Sequence, residues 1–385
     1  MNNQILKSAK ALNKEMITWF EILHQMPELA MQEYKTSQFI ATKLNEFGYE
    51  VVEGIGNTGI VASLHYGTGT KSIGLRADFD ALPIQEDNDF QYKSRNEGIA
   101  HLCGHDAHSV MLLGAAKYFA KTKNFNGTIH FIFQPGEETM QGGQAMITDG
   151  LFDLFEMNAV YALHNMPGIE WGKFFFRENE MMAAVDNWEI EITGKGSHSS
   201  MPELGIDPIV CGASIVMALQ SIVSLNISSW ENSVVAVSVF QAGNAQNAIA
   251  QNAIIKLSIR NMKPEIRVKV LNKVRTITFN QAKSFGCNAE IREGAAGAVL
   301  INTPDNTRWA KKVAADTFGA DQALYGQPYM GSEDFAFMLQ KKNGTYAIMG
   351  AGDVPMVHNP QYFFDTDLLP RGTAYWIALV EDYLK

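Results

Sequence analysis

Within the nine residues Ala100-His101-Leu102-Cys103-Gly104-His105-Asp106-Ala107-His108 stand three of the chain's nine histidines and one of its three cysteines. A thiolate at Cys103 and an imidazole at His105, placed where a helix is expected to begin, form a clamp for a soft or borderline metal ion. Taken alone, such a pair is more often part of a packed core than a ligand set, so the rest of the chain must supply further donors. It does so at three places: the adjacent Glu137-Glu138, His164 and His358. A thiolate, three imidazoles and a carboxylate from either glutamate suit zinc or a neighbouring divalent transition metal and make calcium or magnesium a poor fit. Five donors exceed what one tetrahedral ion takes, which points to two ions about 3.5–4 Å apart sharing a water. Consecutive residues leaving a strand point in different directions. One glutamate can therefore bind metal while the other stays available as a general base.

The elements that must position these groups follow from apolar periodicity and breakers. Residues 5–23 read as one amphipathic helix, closed by Met26-Pro27, and a second runs from Tyr34 to Phe47 and stops at Gly48. Short apolar strands are expected at 59–64, 72–77, 128–133 and 159–163, with a helix over 105–120. Strands alternating with helices predict an α/β fold whose sheet carries helices on both faces. In such sheets ligands bind beyond the carboxyl ends of the strands, where Asp78, Glu137, Glu138 and His164 are expected to sit. From about residue 183 the order becomes strand, helix, strand, strand, helix, strand, the ferredoxin-like pattern. The economical reading is one α/β domain, 1–182 and 295–385, interrupted by an inserted α+β domain at 183–294.

Net charge is −10 over 385 residues, which argues against a nucleic-acid partner, since phosphate binding calls for a basic surface. No apolar run is expected to approach the roughly 20 residues that cross a bilayer, and the first twenty residues, broken by Lys7, Lys10, Lys14 and Glu15, do not resemble a signal peptide. Cys103, Cys211 and Cys287 are too widely spaced for a disulfide framework. These features lead to the expectation of a cytoplasmic enzyme with no membrane partner.

Six motifs in order, Asp78-Phe79-Asp80-Ala81-Leu82-Pro83, Cys103-Gly104-His105-Asp106-Ala107-His108, Gln134-Pro135-Gly136-Glu137-Glu138, Leu163-His164-Asn165, Gly331-Ser332-Glu333-Asp334-Phe335 and Val357-His358-Asn359, resemble the M20 metallopeptidase family. Within it they are most similar to the amidohydrolase branch of hippurate hydrolases, auxin-conjugate hydrolases and N-acetyldiaminopimelate deacetylases. The resemblance spans essentially the whole chain. It implies a mixed-sheet catalytic domain like that of dinuclear metallo-aminopeptidases, with the insert as a lid and dimerisation domain. It further implies cleavage of N-acyl-L-amino acids to a carboxylic acid and a free amino acid, with two divalent ions per subunit, zinc or manganese. Cys103, His105, Glu138, His164 and His358 would be the ligands. Glu137 would be the general base that activates the bridging water, and Asp78 an aspartate that orients a ligand without binding metal itself. His198 would stabilise the oxyanion or meet the substrate carboxylate, which Asn247 and Arg260 would hold. Two positions depart from the family pattern: Arg76 stands where other branches have a metal-binding histidine, and Ala250-Gln251 replaces a usual Pro-Asp pair. A homodimer and a homotetramer both stay open.

Other conspicuous residues read as structural. His24, His65 and His130 have no partner motif, Cys211 sits in an apolar helix, and Cys287 adjoins a glycine at a loop or strand edge. His101 and His108 take supporting places beside the clamp, and Asp106 orients or caps. Glu333 and Asp334 either cap the following helix or act near the site. Two rival activities remain, a dipeptidase of the same family and an amidase with Cys103 as nucleophile.

Overall fold

Gly48 closes the helix Tyr34–Phe47 in the left-handed conformation, φ 87°, where the sequence expects a stop and where a residue without Cβ is unstrained. In the computed structural model, which describes residues 3–385, this helix is α3. It follows α1 (Asn3–Ala11) and α2 (Asn13–Gln25), with α4 (His105–Thr122) next. The single helix expected over 5–23 is thus interrupted at Leu12, so that α1 packs on the last helix of the chain while α2 packs on α4.

The chain forms two compact units. One comprises the residues up to Asn179 together with 301–327 and 334–385; the other comprises 180–300 and 328–333. The first unit begins with strands β1 (Glu50–Ile55), β2 (Gly59–Tyr66), β3 (Ser72–Asp78), β4 (Gly127–Gln134), β5 (Ala159–Pro167) and β6 (Phe174–Phe176). The second contains β7 (Ala184–Thr193), α5 (Pro208–Leu219), β8 (Ser233–Ala242), β9 (Asn252–Asn261), α6 (Pro264–Ser284) and β10 (Asn288–Gly297). The first resumes with α7 (Pro304–Phe318), β11 (Ala323–Tyr325), β12 (Gly344–Gly352) and α8 (Leu369–Tyr383).

The first unit's sheet has eight strands in the order β1-β2-β4-β3-β5-β12-β6-β11. Its centre, β4-β3-β5-β12, is parallel and its flanks include antiparallel pairs. All seven residues of β3 are buried, as expected of a central parallel strand covered on both faces. Register then places the chemistry. Asp78, the last residue of β3, pairs with Gln134, the last of β4, and Glu137-Glu138 lie in the turn just beyond. Contrary to expectation, β5 does not end before His164. It runs on to Pro167 beside β12, pairing His164 with Ile348, and His164 projects from the strand itself.

The second unit is β7-α5-β8-β9-α6-β10 with an antiparallel sheet ordered β8-β9-β7-β10, the ferredoxin-like arrangement. Alternate residues of β7, Trp188, Ile190 and Ile192, face a core that also takes Ile215 of α5 and Val274 of α6. Cys211 and Cys287 are both buried in it. One sequence expectation is corrected here. The helical stretch Pro208–Asn226 is, by length and composition alone, apolar enough to cross a membrane. Its serines, glutamine and asparagine disguise a run without a single charge. Cys211, Ile215, Leu219 and Ile222 bury one face in the core, while Val210, Met217 and Leu225 are exposed on the other.

Candidate metal centre

Gly104 opens α4 with φ 92°, and a Cβ there would lie 2.0 Å from Asn165 Oδ1 and 2.8 Å from the Tyr362 hydroxyl. Only glycine lets the start of α4 press so closely on β5 and on the loop that carries His358. That approach brings the donors together. Cys103 Sγ lies 3.5 Å from His164 Nε2. The ligating atoms of Cys103, Glu138 and His358 lie within 4.8 Å of one another, as do those of His105, Glu137 and Glu138. His358 adopts φ 67° and gives its N–H to Leu102 O at 2.7 Å, which aims its ring so that Nε2 stands 3.4 Å from Glu138 Oε1.

The two buried histidines of the donor set both give Nδ1 to the protein. His105 Nδ1 donates to Asp80, 3.0 Å from Oδ1 and 3.1 Å from the main-chain oxygen, and His164 Nδ1 donates to Asn165 O at 2.5 Å. Each therefore turns its Nε2 toward the cluster, the orientation metal-binding imidazoles require. His105 Nε2 and Glu138 Oε1 are buried with no aligned hydrogen-bond partner. Such orphaned polar atoms are costly unless a partner meets them, and the donor chemistry fits a divalent transition metal.

Burial lowers the pKa of His105, but Asp78 and Cys103 outweigh it and hold the ring well above the usual imidazole range, so a cation at Nε2 would displace a proton. Burial, and then the charge on His108, hold His164 well below the usual imidazole range, so it is neutral. Burial opposes ionisation of Glu138, but His358 and His105 outweigh it and hold its carboxyl low. Burial and the nearby Glu138 carboxylate push the Cys103 thiol up to about 12. The protein alone therefore provides no reactive thiolate there, and deprotonation calls for an adjacent cation.

A second layer of polar groups stands behind the donors. Asp78 does not hydrogen-bond His105; Oδ1 takes His108 Nδ1 at 2.6 Å and Oδ2 takes Arg76 Nη1 at 2.7 Å, with His105 Nε2 3.9 Å away. His108 has both ring nitrogens engaged, the other with Asn165 Oδ1 at 2.8 Å, which gives it a supporting place. Asn165 in turn donates to the Tyr362 hydroxyl at 2.8 Å. Arg76, where other branches have histidine, also donates to Gln134 Oε1 and to Asp334 Oδ1. The Asp334 carboxylate is turned into this network and makes no side-chain cap on the helix Phe335–Leu339. Asp106 accepts from Ala107 N–H and, at 2.7 Å, meets His24 Nδ1. Asp80, Asn165 and Tyr362 were not legible as positioning groups. For Asp80 a signal existed, because it lies in the Asp78-Phe79-Asp80 motif just beyond the end of β3.

The remaining candidates belong to the second unit. His198 is exposed, with Nδ1 2.7 Å from Ser200 Oγ, on a two-stranded ribbon that pairs it with Ala248. Asn247 is its neighbour there, accepting the Ser199 N–H through its main-chain oxygen at 3.0 Å. Gln251, one of the two departures, clamps the glycine loop leading to His198: Oε1 accepts from Gly196 N–H and Nε2 donates to Gly194 O. Arg260 is half-buried, and its Nη1 donates to Met330 O at 2.8 Å and contacts Ser332 Oγ at 3.3 Å.

The sequence profile of peptidase family M20/M25/M40 matches residues 74–382. Hippurate hydrolase of Campylobacter jejuni is 41% identical over 364 residues, covering 94% of this chain and 95% of the relative. N-acetyl-L-cysteine deacetylase of Bacillus subtilis is 33% identical, covering 94% and 87%. Among solved structures, the YXEP protein of Bacillus subtilis, described as a dinuclear metal-binding peptidase from family M20, superimposes with a TM-score of 0.82 at 28% identity, covering 97% of this chain and 99% of that one.

Proposed function

The chain belongs to peptidase family M20/M25/M40, and on that premise we propose that it is a metal-dependent amidohydrolase cleaving N-acyl-L-amino acids to a carboxylic acid and a free amino acid. The relatives support the substrate class, since hippurate and N-acetyl-L-cysteine are both N-acylated amino acids. The observation that carries the reading is the pair of buried, unpartnered atoms His105 Nε2 and Glu138 Oε1 among the Cys103, His164 and His358 donors, with a second glutamate, Glu137, alongside. Two divalent ions, zinc or manganese, held by those five residues would polarise the acyl carbonyl and lower the pKa of a shared water.

Glu137 takes the proton of the attacking water and delivers it to the nitrogen as the amide C–N bond breaks. Its carboxylate is buried and lies within 4.8 Å of the ligating atoms of His105 and Glu138. Asp80 and Asn165 hold the His105 and His164 rings in line, and Asp78 does the same for His108. We assign His198 to stabilisation of the developing oxyanion and Asn247 and Arg260 to the substrate carboxylate. For Arg260 the groups left for that task are Nε and Nη2, since Nη1 is engaged.

We also infer that the chain self-associates as a dimer through β8. This edge strand pairs only with β9 among the described residues and has neither charge nor proline along Ser-Val-Val-Ala-Val-Ser-Val-Phe-Gln-Ala, the devices that normally blunt an edge. Val234 and Phe240 on it are exposed, as is much of the charge-free helical stretch Pro208–Asn226. An antiparallel pair of β8 strands would close under two-fold symmetry.

The test of function is hydrolysis by metal-depleted protein reloaded ion by ion, with N-acetyl and N-benzoyl amino acids set against free dipeptides. Hydrolysis of the acylated substrates restored by a divalent ion is the expected result. Activity that survives exhaustive chelation and dies on thiol alkylation would overturn it in favour of a cysteine nucleophile. Faster turnover of dipeptides would make the enzyme a dipeptidase.

A further inference from the structure

Gly136, the residue before Glu137, has φ 58°, and a Cβ there would sit 2.5 Å from the sulfur of Met31. The segment before α3 is therefore pressed against the turn that carries the two glutamates. Within that segment Glu33 is fully buried and lies outside every motif of the site. Its Oε1 accepts the Gly136 N–H at 2.9 Å and the Met31 N–H at 2.7 Å, and its Oε2 accepts the Thr58 hydroxyl at 2.6 Å. Pro135 has no N–H, so Gly136 offers the first amide beyond the end of β4.

The rest of the turn is held as firmly. Asp80 Oδ2 takes the Glu138 N–H at 2.9 Å. The Gly136 carbonyl accepts from Gln141 and Gly142, and the Glu137 carbonyl from Met140. The direction in which Glu137 leaves the chain depends on the peptide before it. Among the described residues, the carboxylate that accepts the Gly136 N–H is that of Glu33. A buried carboxyl group is costly unless its acceptors are satisfied, and here three donors converge on it.

From this geometry we propose that Glu33 is a positioning residue for the hydrolytic step, fixing the Gly136 peptide and through it the aim of Glu137. The proposal rests on the assignment of Glu137 as the general base. Glu33→Ala should lower kcat roughly 10–100-fold, the usual cost of removing a group that orients a reacting one, with KM, bound metal per chain and circular dichroism near wild type. Glu33→Gln should restore most of kcat, because an amide oxygen can accept both N–H groups while its NH2 turns to the Thr58 hydroxyl. In a Glu137→Gln background, Glu33→Ala should cost less than about threefold more, since the two act as a unit.

Wild-type kcat in folded, metal-loaded Glu33→Ala overturns the proposal. So does a loss confined to bound metal, or a Glu33→Gln variant as impaired as Glu33→Ala. If Glu33→Ala does not fold, Thr58→Val decides, with an expected kcat loss of about threefold to tenfold at unchanged KM and overturning by unchanged kcat. The base assignment fails separately, and visibly, if Glu137→Gln alone keeps wild-type turnover.

Discussion

Asp80 and His105 are joined by a 3.0 Å contact between Oδ1 and Nδ1, and the second oxygen of the same carboxylate holds the Glu138 N–H at 2.9 Å. One side chain thus sets the tautomer of an imidazole donor and the backbone of a carboxylate donor from separate elements. Asp80→Ala should weaken divalent-metal affinity by roughly 10–100-fold, measured by competition with a chromogenic chelator. Asp80→Asn should fall between, because its oxygen can still accept from His105 while its NH2 opposes the Glu138 N–H. Unchanged affinity in Asp80→Ala would show that His105 needs no such partner.

Base and ligand separate in a second pair of variants. Glu137→Gln should lower kcat by at least roughly 10²–10⁴-fold while bound metal stays at the wild-type level. Cys103→Ala should lose metal together with activity, because Cys103 Sγ lies in donor contact with His164 Nε2. Metal analysis of the purified variants beside their turnover distinguishes the two roles. Metal loss in Glu137→Gln would move that residue into the ligand set.

Legibility in the sequence follows chemistry. Cys103, His105, His164 and His358 stood out because few residue types bind metal and each lay near a strand end or breaker; the structure places them in neighbouring donor groups linked by the Cys103–His164 contact. The ferredoxin-like order of the second unit was legible because β7, from Asp186 on, alternates buried residues with half-buried or exposed ones. What escaped was remote and generic. Glu33 is an ordinary glutamate ahead of a helix, and only the fold brings Gly136 to it. His24 has no partner motif, yet it meets Asp106 and Glu86, 82 and 62 residues away. The uncharged helix Pro208–Asn226 escaped because its polar residues broke the apolar run without adding charge.

His24 supplies a pH prediction for stability. Burial alone would lower its pKa, but hydrogen bonds to Asp106 and Glu86, with their charges, raise it from 6.5 to about 9. The other titratable rings facing it are His101, 6.4 Å away between ring centres, and Tyr92, 5.4 Å away. A raised folded pKa means the protonated ring stabilises the fold fully below pH 6.5 and loses that contribution as pH climbs through 9. The stability gap between wild type and His24→Gln, on the order of 3 kcal/mol at most, should therefore be widest near pH 6 and shrink by pH 9.5 in urea melts. A gap that is constant across that window would mean His24 is buried neutral.

The last prediction concerns the exposed edge. Main-chain pairing between two copies of β8 would bring Val234 and Phe240, exposed at 38% and 40%, into the interface. Like charges placed there on both copies face each other across a tight interface, and repulsion plus desolvation is costly in such settings. Light scattering on the wild-type protein should give twice the 42.6 kDa chain mass. The double variant Val234→Glu with Phe240→Glu should give the single chain mass with its circular dichroism unchanged, because neither side chain belongs to the second unit's buried core. A wild-type protein that scatters as a single chain, or a double variant that stays dimeric, would move self-association away from this strand.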